Sequence, residues 1–308
     1  MDYSLLLLAL VVGCLLAVQT SANLQLTTAV GTPYGASTVQ LGLALVLLAA
    51  AALALGAAGA LGDLDSVPGW HLLGGLASPL YITSGILLFP RLGALVSVGL
   101  FVAGQMFASL GLDLAGALGV PQRSVSAGIV VGALLVVAGI VFVVRAQRRV
   151  AAGGPSVSRG GWILLGLVAG AVLPVQGAVN ARLRADLDEP LAVAAISFAV
   201  ATATIGVVLA LLLVLRRTPV PTATRLPAMP WWGWLGGVCA AAYVTATFLL
   251  IPEIGAATTV ALTVTGQQLA SAVIDQRGLF RLPRRPLDAG RIAGLVLLVG
   301  GSAAIQLG

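Results

Sequence analysis

The chain is 308 residues long, 59% hydrophobic and only 8% charged, with a mean hydropathy of +1.07 and a formal net charge of +6. So few charged groups cannot cover a water-soluble surface, which leaves the bilayer as the solvent. All sixteen basic residues are Arg; on the loops of a membrane protein they set orientation and touch anionic headgroups, and no nucleic-acid role is expected.

A bilayer core takes about 20 apolar residues per helix, and the sequence predicts ten spans, at 4–28, 34–58, 70–89, 93–112, 124–144, 161–184, 190–215, 231–250, 255–274 and 288–306. Within the first, Leu5 to Ala22 has the look of a signal peptide, and Val11-Val-Gly-Cys14 loosely matches a lipoprotein cleavage box. The basic leader is missing and Asp2 is acidic, so a retained span is expected. Its Gln19 and Asn23 are four apart and share a helix face. The third span opens at Trp70-His71; this only His is expected to pack at the interface. The turn Phe89-Pro-Arg-Leu-Gly93 breaks the helix with Pro and Gly.

The fourth span carries Ser97, Phe101, Gln105, Ser109 and Asp113 at intervals of four, a stripe that stays on one face. Ten residues after Asp113 comes Arg123. Gly128 and Gly132 let the fifth span approach a neighbour closely, within the chain or in a homodimer. A basic, flexible linker over 149–160 then separates a unit 1–148 from a unit 161–308.

The second unit repeats the first. Gln19, Asn23 and Pro33 return as Gln176, Asn180 and Pro190, 157 residues on. Tyr81, Pro90, Gly93, Gln105, Ser109, Asp113, Arg123 and Gly128 return as Tyr243, Pro252, Gly255, Gln267, Ser271, Asp275, Arg285 and Gly290, 162 residues on. Five spans per unit force the second unit to enter from the opposite side, so the expected fold is all-α with ten transmembrane helices in two inverted-topology five-helix repeats. With the N-terminus outside, thirteen Arg lie on inner loops and three (Arg123, Arg182, Arg184) on outer ones. This positive-inside bias predicts that both termini face away from the cytoplasm.

Polar side chains inside a bilayer face protein or water. The paired amides Gln19/Asn23 and Gln176/Asn180, with the central Gln105 and Gln267, are the candidate solute-binding groups, since amides both donate and accept. The same amides could instead bond helix to helix. Asp113 and Asp275, near helix ends and followed by Arg123 and Arg285, are read as structural ion pairs or loop caps, with proton coupling reserved for a buried Asp. Glu253 is read as a solvated loop carboxylate, and the Trp residues at helix ends as an aromatic belt. Cys14 and Cys239 are expected as packing residues, and no metal or cofactor framework is visible.

Gln176-x-x-x-Asn180 with Pro190-Leu-Ala-Val-Ala-Ala-Ile-Ser-Phe198, Trp231-Trp-Gly-Trp-Leu-Gly-Gly237, and Gly266-Gln267 through Asp275 resemble the YdcZ branch of the drug/metabolite transporter superfamily. The first half, with Thr32-Pro33-Tyr34 and Gly104-Gln105, is similar but diverged, and members of the branch are usually about half this length. The resemblance implies an exporter of the bacterial inner membrane and names no substrate. Small multidrug transporters of the superfamily use a Glu within the first helix; here those positions are amides, which argues for a neutral or zwitterionic small-molecule substrate. A membrane enzyme would need a cluster of carboxylate, His or Cys groups that the loops lack. A non-transporting partner or sensor subunit of a larger complex is the alternative reading.

Overall fold

The computed structural model describes residues 3–120, 122, 124–150 and 159–307. They form ten α-helices and no strand: α1 (Tyr3–Val30), α2 (Pro33–Ala54), α3 (Ser78–Leu92), α4 (Ala94–Ala115), α5 (Ala127–Val150), α6 (Arg159–Leu187), α7 (Pro190–Val214), α8 (Leu235–Ile254), α9 (Ala256–Arg277) and α10 (Ala289–Leu307). Single-turn geometry explains the breaks. Gly31 (φ +88°) and Pro33 at the first turn of α2 separate α1 from α2. Gly93 (φ +84°) and Gly255 (φ +83°) separate α3 from α4 and α8 from α9, in left-handed backbone that a side chain would strain. The 3₁₀ segments Gly69–Ala77 and Trp231–Trp234 lead into α3 and α8 and lengthen them to a span. Most of the expected linker lies outside the described residues.

Nine helical segments among the described residues are long and apolar enough to cross a membrane, one short of the expected ten. The exception is α9, which at 22 residues is as long as α4. Thr258, Thr259, Thr263, Thr265, Gln267, Gln268 and Ser271 dilute its hydropathy. Its surroundings account for the composition: α9 packs against α1, α4, α8 and α10, and Thr259, Thr263, Gln267, Gln268 and Ser271 are all buried in protein. A helix screened from lipid on that face tolerates polar groups that a lipid-facing one does not.

The units interlock rather than sit side by side. α1 of the first lies against α8 and α9 of the second, while α6 of the second lies against α3 and α4 of the first. α2 pairs with α7, and α5 with α10. Exchanging the units reproduces every one of these pairings, a pseudo-two-fold arrangement. Lipid offers no hydrophobic drive between helices, so close van der Waals packing and interhelical hydrogen bonds must hold them. At the α5–α10 contact a Cβ on Gly132 or Gly301 would stand 2.7 Å from the other's carbonyl oxygen, and one on Gly139 or Gly294 would stand 2.9 Å from the other's. Gly132, expected as a close-approach residue, therefore serves a contact inside the chain, as does Gly294. Cys14 and Cys239 are unpaired, and the Cys14 thiol donates to the Gly266 carbonyl of α9.

Candidate functional site

The repeated amides of α1 and α6 meet in the middle of the bundle. Gln19 and Gln176 line one cavity of about 80 Å³ together with Leu16, Leu173, Tyr81, Tyr243, Ile82, Val244, Ser78, Ala240 and Phe198. The first ten of these eleven residues form five pairs at the repeat spacings of 157 or 162. The cavity thus straddles the pseudo-two-fold axis, and no charged side chain lines it.

The two glutamines are in different situations. The Gln176 amide is engaged: the Ser78 hydroxyl lies 3.0 Å from its Oε1 and 2.9 Å from its Nε2. Gln19 is 4% exposed, and its Oε1 has no hydrogen-bond partner among the described residues. An unmatched buried acceptor costs about 1–3 kcal/mol unless a donor arrives. Of the two, Gln19 is the amide with an unmatched acceptor at the cavity.

Asn23 and Asn180 do something else. Asn23 Nδ2 donates to Gln40 Oε1 of α2 at 3.4 Å, and Asn180 Nδ2 donates to the Ser197 hydroxyl of α7 at 3.1 Å, the same bond in each repeat. A Cβ at Gly236 would overlap Asn23 Oδ1, and one at Gly74 would overlap Asn180 Oδ1. Each glycine therefore aims a Cα hydrogen at an amide oxygen, a weak C–H···O contact that seats the opposing unit. Neither Asn lines the cavity. Each Asn thus joins its helix to the next through Nδ2, while its Oδ1, like the Oε1 of Gln19, accepts no hydrogen bond from an N–H or O–H among the described residues.

Gln267 sits behind the cavity wall. Its Nε2 donates to the Tyr81 hydroxyl at 2.8 Å, and the Tyr81 ring lies 4.9 Å from that of Phe101. Thr263, close to the equivalent Tyr243, donates its hydroxyl to the Val260 carbonyl at 3.1 Å. Gln105 is half-buried, and its Nε2 has no partner among the described residues.

Asp275 is 1% exposed at the end of α9. It accepts from the backbone N–H groups of Ala94 (2.9 Å) and Leu95 (3.1 Å), capping the first turn of α4, and from the Arg291 guanidinium of α10. Three donors at a helix N-terminus compensate its charge. The ion-pair partner is Arg291, sixteen residues on in the next helix, rather than the expected Arg285. Arg285 stands beside the pair and donates to the Pro90 carbonyl at 3.0 Å. Burial pushes its guanidinium below the ordinary value; Asp275 opposes that shift and Arg291 adds to it. Asp113 is half-buried, and the expected Asp113–Arg123 pair lies outside the described residues because Arg123 does. His71 bonds the Asp186 carboxylate through Nδ1 and so joins the 3₁₀ segment before α3 to the end of α6. No group of three His, Cys, Asp or Glu that could hold a metal occurs among the described residues.

Sequence reasoning passed over Tyr81, Tyr243, Ser78 and Phe198 as lining groups and Arg291 as an ion-pair partner. The tyrosines had a signal, since they recur at the repeat spacing. Arg291 had none, because its counterpart in the first unit is Ile129.

Comparison with known proteins bears on both halves. The family model described as "Putative inner membrane exporter, YdcZ" matches residues 4–142 and again 161–304. No curated protein matches the sequence. A solved crystal structure, described only as that of a protein, shares the fold: it has 20% identity and a TM-score of 0.56, with 100% of this chain and 98% of the other covered.

Proposed function

The chain belongs to the YdcZ family of inner-membrane exporters, and from that membership we propose that it is a secondary carrier for a small neutral or zwitterionic metabolite. It is a multi-pass membrane protein. In this reading both termini face away from the cytoplasm, α9 is the tenth span, and the solute site is the cavity between the two repeats, reached alternately from each side.

One observation carries the reading: a cavity built from pseudosymmetric pairs holds a buried, unmatched Gln19 acceptor opposite an engaged Gln176. An uncharged lining suits a solute with no net charge, because a lone ion there would meet no counter-charge. Amide and phenol groups supply the donors and acceptors, while Phe198 and the aliphatic pairs cover the apolar part. At about 80 Å³ the space is well below the roughly 300 Å³ at which drug-sized ligand sites begin. Helices must therefore part to admit a metabolite.

The test is a thermal-shift screen of the detergent-purified protein against amino acids, sugars, nucleosides, polyamines and cationic drugs, with the double variant Gln19→Ala/Gln176→Ala beside it. A ligand raises the melting temperature only by binding the folded form preferentially. A neutral or zwitterionic hit that the double variant loses supports the proposal. A hit retained by the variant moves the site elsewhere, and stabilisation by cationic drugs alone refutes the substrate class.

A further inference from the structure

We infer that Gln267 and Gln105 are exchanging positioning residues: each holds one cavity tyrosine, Tyr81 or Tyr243, in one of two access states. The inference rests on the carrier reading above and assigns the two glutamines a role behind the cavity wall instead of at the solute.

The two tyrosines occupy equivalent places in the repeats, and so do the two glutamines, all at a spacing of 162. Symmetry would make two bonds, Gln267 to Tyr81 and Gln105 to Tyr243. Only the first is made, at 2.8 Å. Gln105 Nε2 is buried with no partner among the described residues. The neighbourhood is asymmetric in the same sense. Gln267, Ser271 and Asp275 on α9 are 1%, 0% and 1% exposed, whereas their equivalents Gln105, Ser109 and Asp113 on α4 are all half-buried. The molecule is packed tightly around one stripe and loosely around the other.

Two units of one fold can trade local conformations. When they do so in an inverted pair, the end that was closed becomes the end that opens. The exchanged state has the tight stripe on α4 and the loose one on α9, and its bond is Gln105 to Tyr243. Each state then holds one glutamine–tyrosine bond and leaves one amide unmatched, so neither outweighs the other by much. The repeats differ at one neighbouring place. Phe101 stands where the second unit has Thr263, so a released Tyr81 has no hydroxyl side chain at that position beside it and is free for the solute.

The experiment uses the full chain with Cys14→Ala and Cys239→Ala, a single reporter Ala240→Cys on the cavity wall, and a membrane-impermeant maleimide. It is applied to right-side-out and to inside-out vesicles, and the ratio of the two labelling rates is read. Gln267→Leu should move that ratio about two- to tenfold in one direction, the worth of a single hydrogen bond, and Gln105→Leu should move it in the opposite direction. Tyr81→Phe, which deletes only the hydroxyl, should reproduce Gln267→Leu and so excludes a packing defect as the cause. Shifts in the same direction, or none, in a protein that labels from both sides would overturn the exchange and leave alternating access standing. Labelling from one side only, in the parent and every variant, would overturn both.

Discussion

Replacing Arg291 by Met tests whether the buried ion pair holds one end of the bundle together. Arg291 is 2% exposed, and its guanidinium donates to Asp275 Oδ2 and to the carbonyls of Arg285 (2.6 Å) and Pro286 (3.1 Å). Met fills a similar length without any donor. Asp275 would keep the two α4 N–H groups and lose its counter-charge. Removing one partner of a buried pair costs about 3–5 kcal/mol, because the other is left charged and unpaired. Two remaining donors and the nearby Arg285 place the expectation at the lower end, about 3 kcal/mol. Combining Arg291→Met with Asp275→Asn removes the orphaned charge while an amide oxygen can still accept from Ala94, so the double variant should be more stable than Arg291→Met alone. Reversible unfolding of the detergent-solubilised protein by SDS, followed through its tryptophans, gives the free energies. A loss below about 1 kcal/mol for Arg291→Met, or strict additivity of the two substitutions, would refute the reasoning.

Two further outcomes follow from the same packing. Gly74→Ala and Gly236→Ala each put a methyl where an Asn oxygen sits and should destabilise by about 1–3 kcal/mol in the same unfolding assay; adding Asn180→Ala to the first, or Asn23→Ala to the second, should return part of that loss. In a double-mutant cycle, His71→Ala and Asp186→Ala should show a coupling of about 1 kcal/mol, modest because the Asp186 side chain is 30% exposed. A coupling of zero would mean that the 3₁₀ segment is held by its apolar neighbours alone.

Periodicity and composition located nine of the ten expected spans without difficulty, because a lipid-facing helix must be apolar. They are less decisive for α9, where burial in protein releases the sequence from that demand. The candidate site was legible through its symmetry: Gln19 and Gln176 stood out as polar groups recurring in apolar helices, and both line the cavity. Spacing alone could not separate them from Asn23 and Asn180. One turn of helix changes which neighbour a side chain meets, and that neighbour lies on α2 or α7, distant in sequence. The tyrosines were visible as markers of the repeat; their role as lining groups depends on how far α3 and α8 reach toward the axis. Asp275 stood out because Asp113 recurs there at the repeat spacing. Its true partner breaks the symmetry that made everything else readable, which is why a search for repeated residues passed over Arg291.

That broken symmetry bears on how such a protein can change over evolutionary time. A five-helix protein that assembled with a copy of itself in the opposite orientation would place every substitution on both faces of the membrane at once. Each position would then be a compromise between two environments. Joined in one chain, the halves are released from that compromise. Position 129 can remain Ile at one face while position 291 becomes Arg at the other, and position 101 can remain Phe while position 263 becomes Thr. Inheritance as a single gene thereby makes direction across the membrane a trait on which selection can act.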